Sequence, residues 1–299
     1  MKFLDRAITP LAVTTTLLAT TVSLPSRAFT IAKNSNSDDL LSALLGDTTG
    51  LSNFSASISG DSRSFGLFEG DPFNLESGVI LSTGIVDRVS GENRGNNDFI
   101  SGSDLSADLK QPGNDKNSFD LAQLDITFEA DSTVEMLFFQ YVFGSEEFVE
   151  FGGDKFNDSF ELLLNGENLA RLSDGQDVTI NNLVPQPEPD FFHPDYIDNP
   201  IGENTKTKLD GYTQVLTFEG ALAQNSQNTL SIRIKDVSDA VLDSAVLIKS
   251  GSVSTAVPKA VTKAIPSRAS KSTSVPEPTF AWGLGLLVIF SGMWKGKEK

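Results

Sequence analysis

The sequence predicts an all-β domain, a β-sandwich or jelly roll, with one short helix near its N terminus and a single apolar helix at its C terminus. Two observations support the β class. Many short segments alternate apolar and polar residues, and Gly, Asn, Asp and Ser separate them. Such segments are typical of sandwiches and jelly rolls. The 21 phenylalanines supply much of the predicted core.

The helix is predicted over residues 37–46. Ser37 is suited to cap its N terminus, and Asp38 and Asp39 suit the first turn. Gly46 is suited to end it. The apolar face consists of Leu40, Leu41, Leu44 and Leu45.

Nine strand-like segments follow the helix. Asn165-Gly166 predicts a type I′ hairpin turn within one of them. Two long intervening segments, 87–118 and 184–208, read as loops, which at this length are often functional or disordered. The predicted strands are 53–60, 77–84, 124–128, 134–143, 159–167, 177–183, 213–222, 229–237 and 244–253.

The chain is acidic, with 40 acidic and 23 basic residues and a net charge of -17. Three of the acids and ten of the bases lie outside residues 29–252, so that region carries -24. A surface of this sign attracts cations and repels nucleic acid, which is therefore not an expected partner. The absence of cysteine excludes disulfides, thiolate metal sites and cysteine nucleophiles.

Residues 1–28 have the pattern of a secretory signal peptide. Lys2 and Arg6 give a positive start, an apolar run follows, and Ala28 ends a small-residue cleavage site for signal peptidase. The alternative is an ordinary N-terminal helix, which Pro10 disfavours. The predicted β domain then covers residues 29–252.

The C-terminal region changes composition twice. Residues 253–274 are rich in Ser, Thr, Ala and Pro and indicate a solvated linker. Residues 279–294 carry no charge and would span about 24 Å as a helix, short of the roughly 30 Å of a bilayer core. Three lysines in 295–299 are placed to hold that end on the cytoplasmic side. A buried core helix is the alternative.

Residues 275–299 resemble a PEP-CTERM sorting signal. The order Pro276-Glu277-Pro278, apolar run and basic end carries the resemblance. It implies recognition of Pro276, Glu277 and Pro278 by an exosortase, with the apolar run serving as a temporary membrane anchor. A permanent tail anchor is the alternative.

The domain resembles the choice-of-anchor L domain over about residues 37–253. The motifs that carry this resemblance are SGVILSTG, YVFGSEEF, FNDSFELLLNG, DGYTQVLTF and LSIRIKDVSDAVLDSAVLIKSGS, in that order. The family joins one extracellular domain to different surface anchors and has no well-established catalytic activity. The resemblance therefore implies a location at the cell surface and does not imply a catalytic activity.

Carboxylates cluster at predicted strand ends, which is the ligand chemistry that calcium prefers. The spacing matches no EF-hand loop, and turn capping is the alternative role. The candidate ligands are Glu146, Glu147, Asn157, Asp158, Asp236, Asp239 and Asp243.

The sequence leads us to expect an exported, non-catalytic adhesion or matrix protein that binds calcium and contacts exopolysaccharide. The alternative is a secreted glycosidase that uses Glu147 and Asp158 as its carboxylate pair. His193 is the only histidine, so any Ser-His-Asp triad would depend on it. Its setting between prolines and acids indicates a loop contact instead.

Overall fold

A computed structural model describes residues 28–95 and 109–257. They form two antiparallel β-sheets and two short α-helices, so the predicted β class is confirmed. Within these ranges no helix is long and apolar enough to cross a membrane. The predicted signal peptide up to residue 27, most of the linker and the C-terminal apolar helix lie outside the described residues.

The helices are α1 (Ser37–Leu44) and α2 (Ile180–Leu183). The strands are β1 (Thr30–Lys33), β2 (Leu51–Ser59), β3 (Phe65–Glu69), β4 (Ser77–Ser82), β5 (Ser118–Ala130), β6 (Met136–Ser145), β7 (Ser159–Leu164), β8 (Glu167–Asn168), β9 (Tyr196–Asp198), β10 (Gly211–Thr213), β11 (Leu216–Ala221), β12 (Ser226–Val237) and β13 (Ser244–Lys249).

The larger sheet has eight strands. Seven follow the order β1-β3-β4-β13-β6-β10-β9, and β11 also pairs with β6. Its middle strands are buried on both faces: in β6 every residue after Met136 is buried. A strand with two covered faces reads as a continuous apolar run instead of an alternating one.

The smaller sheet has five strands in the order β2-β5-β12-β7-β8. Its long strands β5 and β12 alternate buried and more exposed residues along most of their length. Because successive side chains of a strand point to opposite faces, this sheet covers the core with one face and meets solvent with the other.

The main core lies between the two sheets. Tyr141 of β6 packs against Phe160 of β7, with ring centroids 4.9 Å apart, so this contact joins the sheets. Phe139 stacks on Phe218 at 4.5 Å, and Leu44 of α1 joins the same cluster. A second cluster covers the outer face of the larger sheet; it includes Phe73, Leu75, Ile80, Val142, Leu209 and Leu247.

Helix α1 is confirmed, but its cap is not Ser37. The Asn36 side chain accepts hydrogen bonds from the Asp38 and Asp39 backbone N–H groups, so Ser37 is the first helical residue. Asn is as good a cap as Ser, and its position here has the extended backbone that a cap requires. The helix ends at Leu44, before Gly46, because Leu45 is already extended.

The segment 177–183 is not a strand. Residues 180–183 form α2, capped by the Thr179 hydroxyl, which accepts the Asn182 N–H. Val178, Ile180 and Leu183 are all buried, and so short an apolar pattern fits a strand and a helical turn equally well.

Four further segments differ from the predicted arrangement. The 184–208 loop contains β9 and a 3₁₀ turn over Pro189–Phe191. The strand predicted over 213–222 corresponds to β11, and only its first residue, Thr213, belongs to the separate strand β10. Strands β1 and β3 were not predicted. The hairpin is confirmed, since Asn165 and Gly166 have φ values of 52° and 88°.

We expect Phe139→Ala to lower the free energy of unfolding by about 3–5 kcal/mol, because it leaves a cavity where a fully buried ring stacks on Phe218. Phe191→Ala is the matched control, because that ring is 51% exposed and its loss should cost less than about 0.5 kcal/mol. Urea unfolding followed by circular dichroism measures both. Equal losses would contradict this core assignment.

Candidate functional site

Four strand ends meet at one edge of the sandwich. In the larger sheet β6 ends where β13 begins, and Ser145 lies opposite Ser244. In the smaller sheet β12 ends where β7 begins, and Lys235 lies opposite Ser159. The segment between β12 and β13 carries the chain from one sheet to the other. Side chains at these ends therefore come from both sheets.

Five carboxylates lie at this edge and are almost fully buried. None of them is more than 2% exposed, which is exceptional for acidic side chains. We call them the carboxylate centre: Glu146, Glu147, Asp158, Asp236 and Asp243.

Asp158 connects the two sheets through hydrogen bonds. Its Oδ1 accepts the Val237 backbone N–H at 2.9 Å, and its Oδ2 accepts the Ser244 hydroxyl at 2.7 Å. The Ser145 and Ser244 hydroxyl oxygens are 2.9 Å apart. When Asp158 is ionised, Ser244 donates its one hydroxyl proton to Asp158 and accepts a hydrogen bond from Ser145.

Asp243 is held from the side of β4. Its Oδ1 accepts the Thr83 hydroxyl at 3.3 Å, and its backbone N–H donates to Glu146 Oε2 at 3.3 Å. A β-carbon on Gly84 would come within 1.8 Å of Asp243 Oδ2, so glycine provides the space for this carboxylate.

Asp236 and Glu147 have buried oxygens without hydrogen bonds. Neither carboxyl oxygen of Asp236 has a hydrogen-bond partner among the described residues, and the same is true of Glu147 Oε2. Asp236 nevertheless lies close to Thr83 and Asp158. No ion pair between described residues includes Glu147, Asp158 or Asp236. A buried, unpaired carboxylate is costly, so these groups need a proton or a cation.

Burial is the main cause of strong pKa shifts in the centre. It raises the pKa of Glu147 to about 10, assisted by repulsion from Asp158, Asp239, Glu146 and Asp154. Burial also raises the pKa of Asp158 to about 7, against the opposing hydrogen bonds from Ser244 and Val237. The pKa of Asp236 is raised well above its usual value by burial and by repulsion from Asp158 and Asp243.

The two remaining predicted ligands lie outside the centre. Asp239 is half-buried, accepts the Val241 N–H, and has its pKa raised mainly by burial. Asn157 Oδ1 accepts the Asn181 N–H, which anchors α2. Turn capping is the alternative role of the seven candidate ligands. Asn157 and one oxygen of Asp239 make contacts of that kind.

The contacts of Thr83, Gly84, Ser145 and Ser244 with the centre were not predicted. Each is a common residue at a strand end, and only the pairing of β4, β13 and β6 brings them to the carboxylates. His193, with a side chain 7% exposed, has its Nε2 3.3 Å from Asp174 and its Nδ1 3.6 Å from Asp195. It makes the expected loop contact.

Metal-ligand geometry is incomplete at this edge. Within 28–95 and 109–257, no three His, Cys, Asp or Glu side chains are grouped closely enough to hold a metal ion. The donor atoms are the carboxylate and hydroxyl oxygens that hard cations prefer. An ion would therefore require rotation of side chains already gathered at the edge.

A separate cleft of about 610 Å³ lies beside β7 and β12. It is lined mostly by polar side chains. These include Lys116, Asn117, Asn157, Glu161, Asn168, Asp177 and Lys235.

We expect the carboxylate centre to make the protein less stable as pH rises. The folded-state pKa values of Asp158 and Glu147, about 7 and about 10, lie above their usual 3.8 and 4.5, so the folded chain binds more protons. This stabilisation is full below pH 3.8 and is lost as pH rises through 7 and then 10.

This expectation is tested by the urea concentration at the midpoint of unfolding, measured between pH 5 and pH 9.5 in the presence of chelator. Glu147→Gln should flatten the decline above pH 7, because it removes the group that titrates there. The matched control Glu188→Gln, at an exposed position, should keep the native slope. A native midpoint that is constant across this range would contradict the expectation.

Comparison with known proteins identifies the β domain. The choice-of-anchor L domain family matches residues 30–254. No curated protein and no solved structure matches the chain. The matched residues include every described strand and the whole carboxylate centre. Because the match covers most of the chain, this protein belongs to the choice-of-anchor L domain family and is surface-associated.

Proposed function

We propose that this protein is exported and acts at the cell surface or in the extracellular matrix, in a non-catalytic adhesion or matrix-building role. Its membership of the choice-of-anchor L domain family over residues 30–254 is the observation that carries the proposal. The predicted signal peptide and the tail 275–299 are consistent with export to that location. Calcium is the proposed cofactor.

The rival function is a secreted glycosidase that uses Glu147 and Asp158. A catalytic carboxylate pair must contact the glycosidic bond. Glu147 is 2% exposed and Asp158 is 1% exposed, so a sugar ring has no direct access to either side chain. Their burial supports the non-catalytic role.

Export and sorting require three partners in this proposal. Signal peptidase cleaves after Ala28, and an exosortase-type enzyme recognises Pro276, Glu277 and Pro278. The membrane holds the apolar run 279–294, at least until the tail is processed. These roles rest on the sequence patterns.

Exopolysaccharide is the proposed binding partner, and the cleft beside β7 and β12 is the proposed contact. Amide, carboxylate and ammonium groups line this cleft, and all of them hydrogen-bond to sugar hydroxyls. Lys116 and Asn117 are exposed at its edge, where a polymer can reach them. A cleft open to solvent suits an extended chain better than the buried centre does.

Alanine at Pro276, Glu277 and Pro278 should stop processing of the tail. We expect a heavier, cell-associated form to accumulate on immunoblots, while the native protein gives the processed form. Alanine at Ser267 and Ser270, in the preceding linker, is the matched control. Identical processing of all three proteins would contradict exosortase recognition at this motif.

The double variant Lys116→Ala, Asn117→Ala should bind the exopolysaccharide of the producing cells about tenfold more weakly. Two lost hydrogen bonds of about 0.5–1.5 kcal/mol each correspond to a factor between about five and about 150, and tenfold lies within that range. Co-sedimentation with the purified polymer measures binding, and Gln186→Ala, at an exposed position, is the control. Unchanged binding would exclude the cleft, and absence of native binding would exclude this partner.

A further inference from the structure

We propose that the carboxylate centre binds one calcium ion through Glu147, Asp158 and Asp236, and that this ion connects the two sheets. This inference rests on the proposed function, in which calcium is the proposed cofactor, and it assigns the site of that ion. The seven candidate ligands are thereby reduced to three main ones, with Asp243 and the Thr83 hydroxyl beside them.

The first argument is charge. Glu147, Asp158 and Asp236 are no more than 2% exposed, and no described residue forms an ion pair with them. Ionised carboxylates in such a place repel one another and lack hydration. A divalent cation neutralises two of these charges at once, whereas each proton neutralises one.

The second argument is unused donor capacity. Both oxygens of Asp236 and Oε2 of Glu147 are buried and lack hydrogen-bond partners among the described residues. Buried polar atoms are normally paired, so these three oxygens at one edge need a proton or a cation as their partner. Each Asp158 oxygen accepts one hydrogen bond and retains a lone pair for a metal.

The third argument is the choice of ion. Carboxylate and hydroxyl oxygens favour a hard cation. Calcium accepts six to eight oxygens in flexible geometry, and two-oxygen binding by a carboxylate helps to reach that number. Magnesium demands a strict octahedron and usually keeps several waters, which suits this buried edge poorly. Calcium is therefore the ion that fits.

The fourth argument concerns how the ligands close on the ion. Asp236 lies within β12 and Asp158 directly precedes β7, so paired strands hold both backbones. Glu147 follows β6 by two residues and has the longest side chain of the three main ligands. Because the donors are not yet grouped for a metal, we expect rotation of the Glu147 side chain to complete the site.

The ion would connect the two sheets because its ligands come from both of them. Asp236 belongs to the smaller sheet, Asp158 directly precedes its strand β7, and Glu147 follows a strand of the larger sheet. An ion held by all three adds a link between the sheets beside the Ser244–Asp158 hydrogen bond. It also replaces protons, so calcium should bind more tightly at higher pH.

Thermal unfolding and calorimetric titration of the purified protein test the site. At pH 8, calcium at 100 times its dissociation constant should raise the unfolding midpoint by about 5–10 °C relative to chelator. Magnesium should raise it far less, and calcium at pH 5.5 should have a smaller effect. Titration at pH 8 should give one ion per chain.

Asp236→Asn and Glu147→Gln should fold and lose at least half of the calcium-dependent rise, because each removes a ligand charge and keeps the side-chain size. In chelator at pH 8 both should be more stable than the native protein, because the native carboxyl must take up a proton to be buried at that pH and an amide need not. Asp190→Asn, at an exposed position, is the matched control and should respond fully.

Three results would overturn the inference. They are no calcium response of the native protein at pH 8, equal responses to magnesium and calcium, and variants that respond as the native protein does. The last would indicate adventitious binding on the acidic surface. Polysaccharide binding is measured separately, so its loss would contradict the adhesive role while leaving a calcium-specific midpoint rise intact.

Discussion

Two-sided burial of the middle strands of the larger sheet is the constraint on which the other features depend. Strands β6 and β13 are apolar along nearly their whole length, so both faces must be covered. The smaller sheet covers one face through contacts such as Tyr141–Phe160, and the second cluster around Phe73 and Leu209 covers the other. Polar side chains that follow these strands are therefore enclosed where the strands end.

The carboxylate centre is a consequence of that enclosure. A turn at an exposed strand end would leave its acids hydrated, and their pKa values would stay near the usual range. Here the crossing from β12 to β13 brings Asp236 and Asp243 beside Asp158, beneath the end of β6. The same burial that stabilises the apolar core makes these charges costly. Hydroxyls from Ser145, Ser244 and Thr83 offset part of this cost.

Local sequence signals predicted most long strands, α1 and the Asn165-Gly166 turn, because alternation, leucine spacing and turn chemistry are properties of neighbouring residues. The α2 segment was misassigned because Val178 and Ile180 are two apart, which fits a strand, while their burial arises from tertiary packing. For the centre, the sequence supplied the acids but not their partners. Five of the seven candidates are buried at one edge of the sandwich, whereas Asn157 anchors α2. This distinction depends on contacts between distant segments.

The proposed extracellular location and the proposed calcium ion are related through the calcium concentration at which the site fills. Extracellular calcium modules have dissociation constants of about 10⁻⁴–10⁻³ M, much weaker than cytosolic sensors. A centre that exchanges protons for calcium and must rotate Glu147 to close is expected to be in that weak range, because proton release and reorientation both subtract from the binding energy. Such a site would stay empty inside a cell and fill outside it. Under the proposal, the link between the sheets is therefore completed only after export, where the domain must resist conditions that the cell does not control.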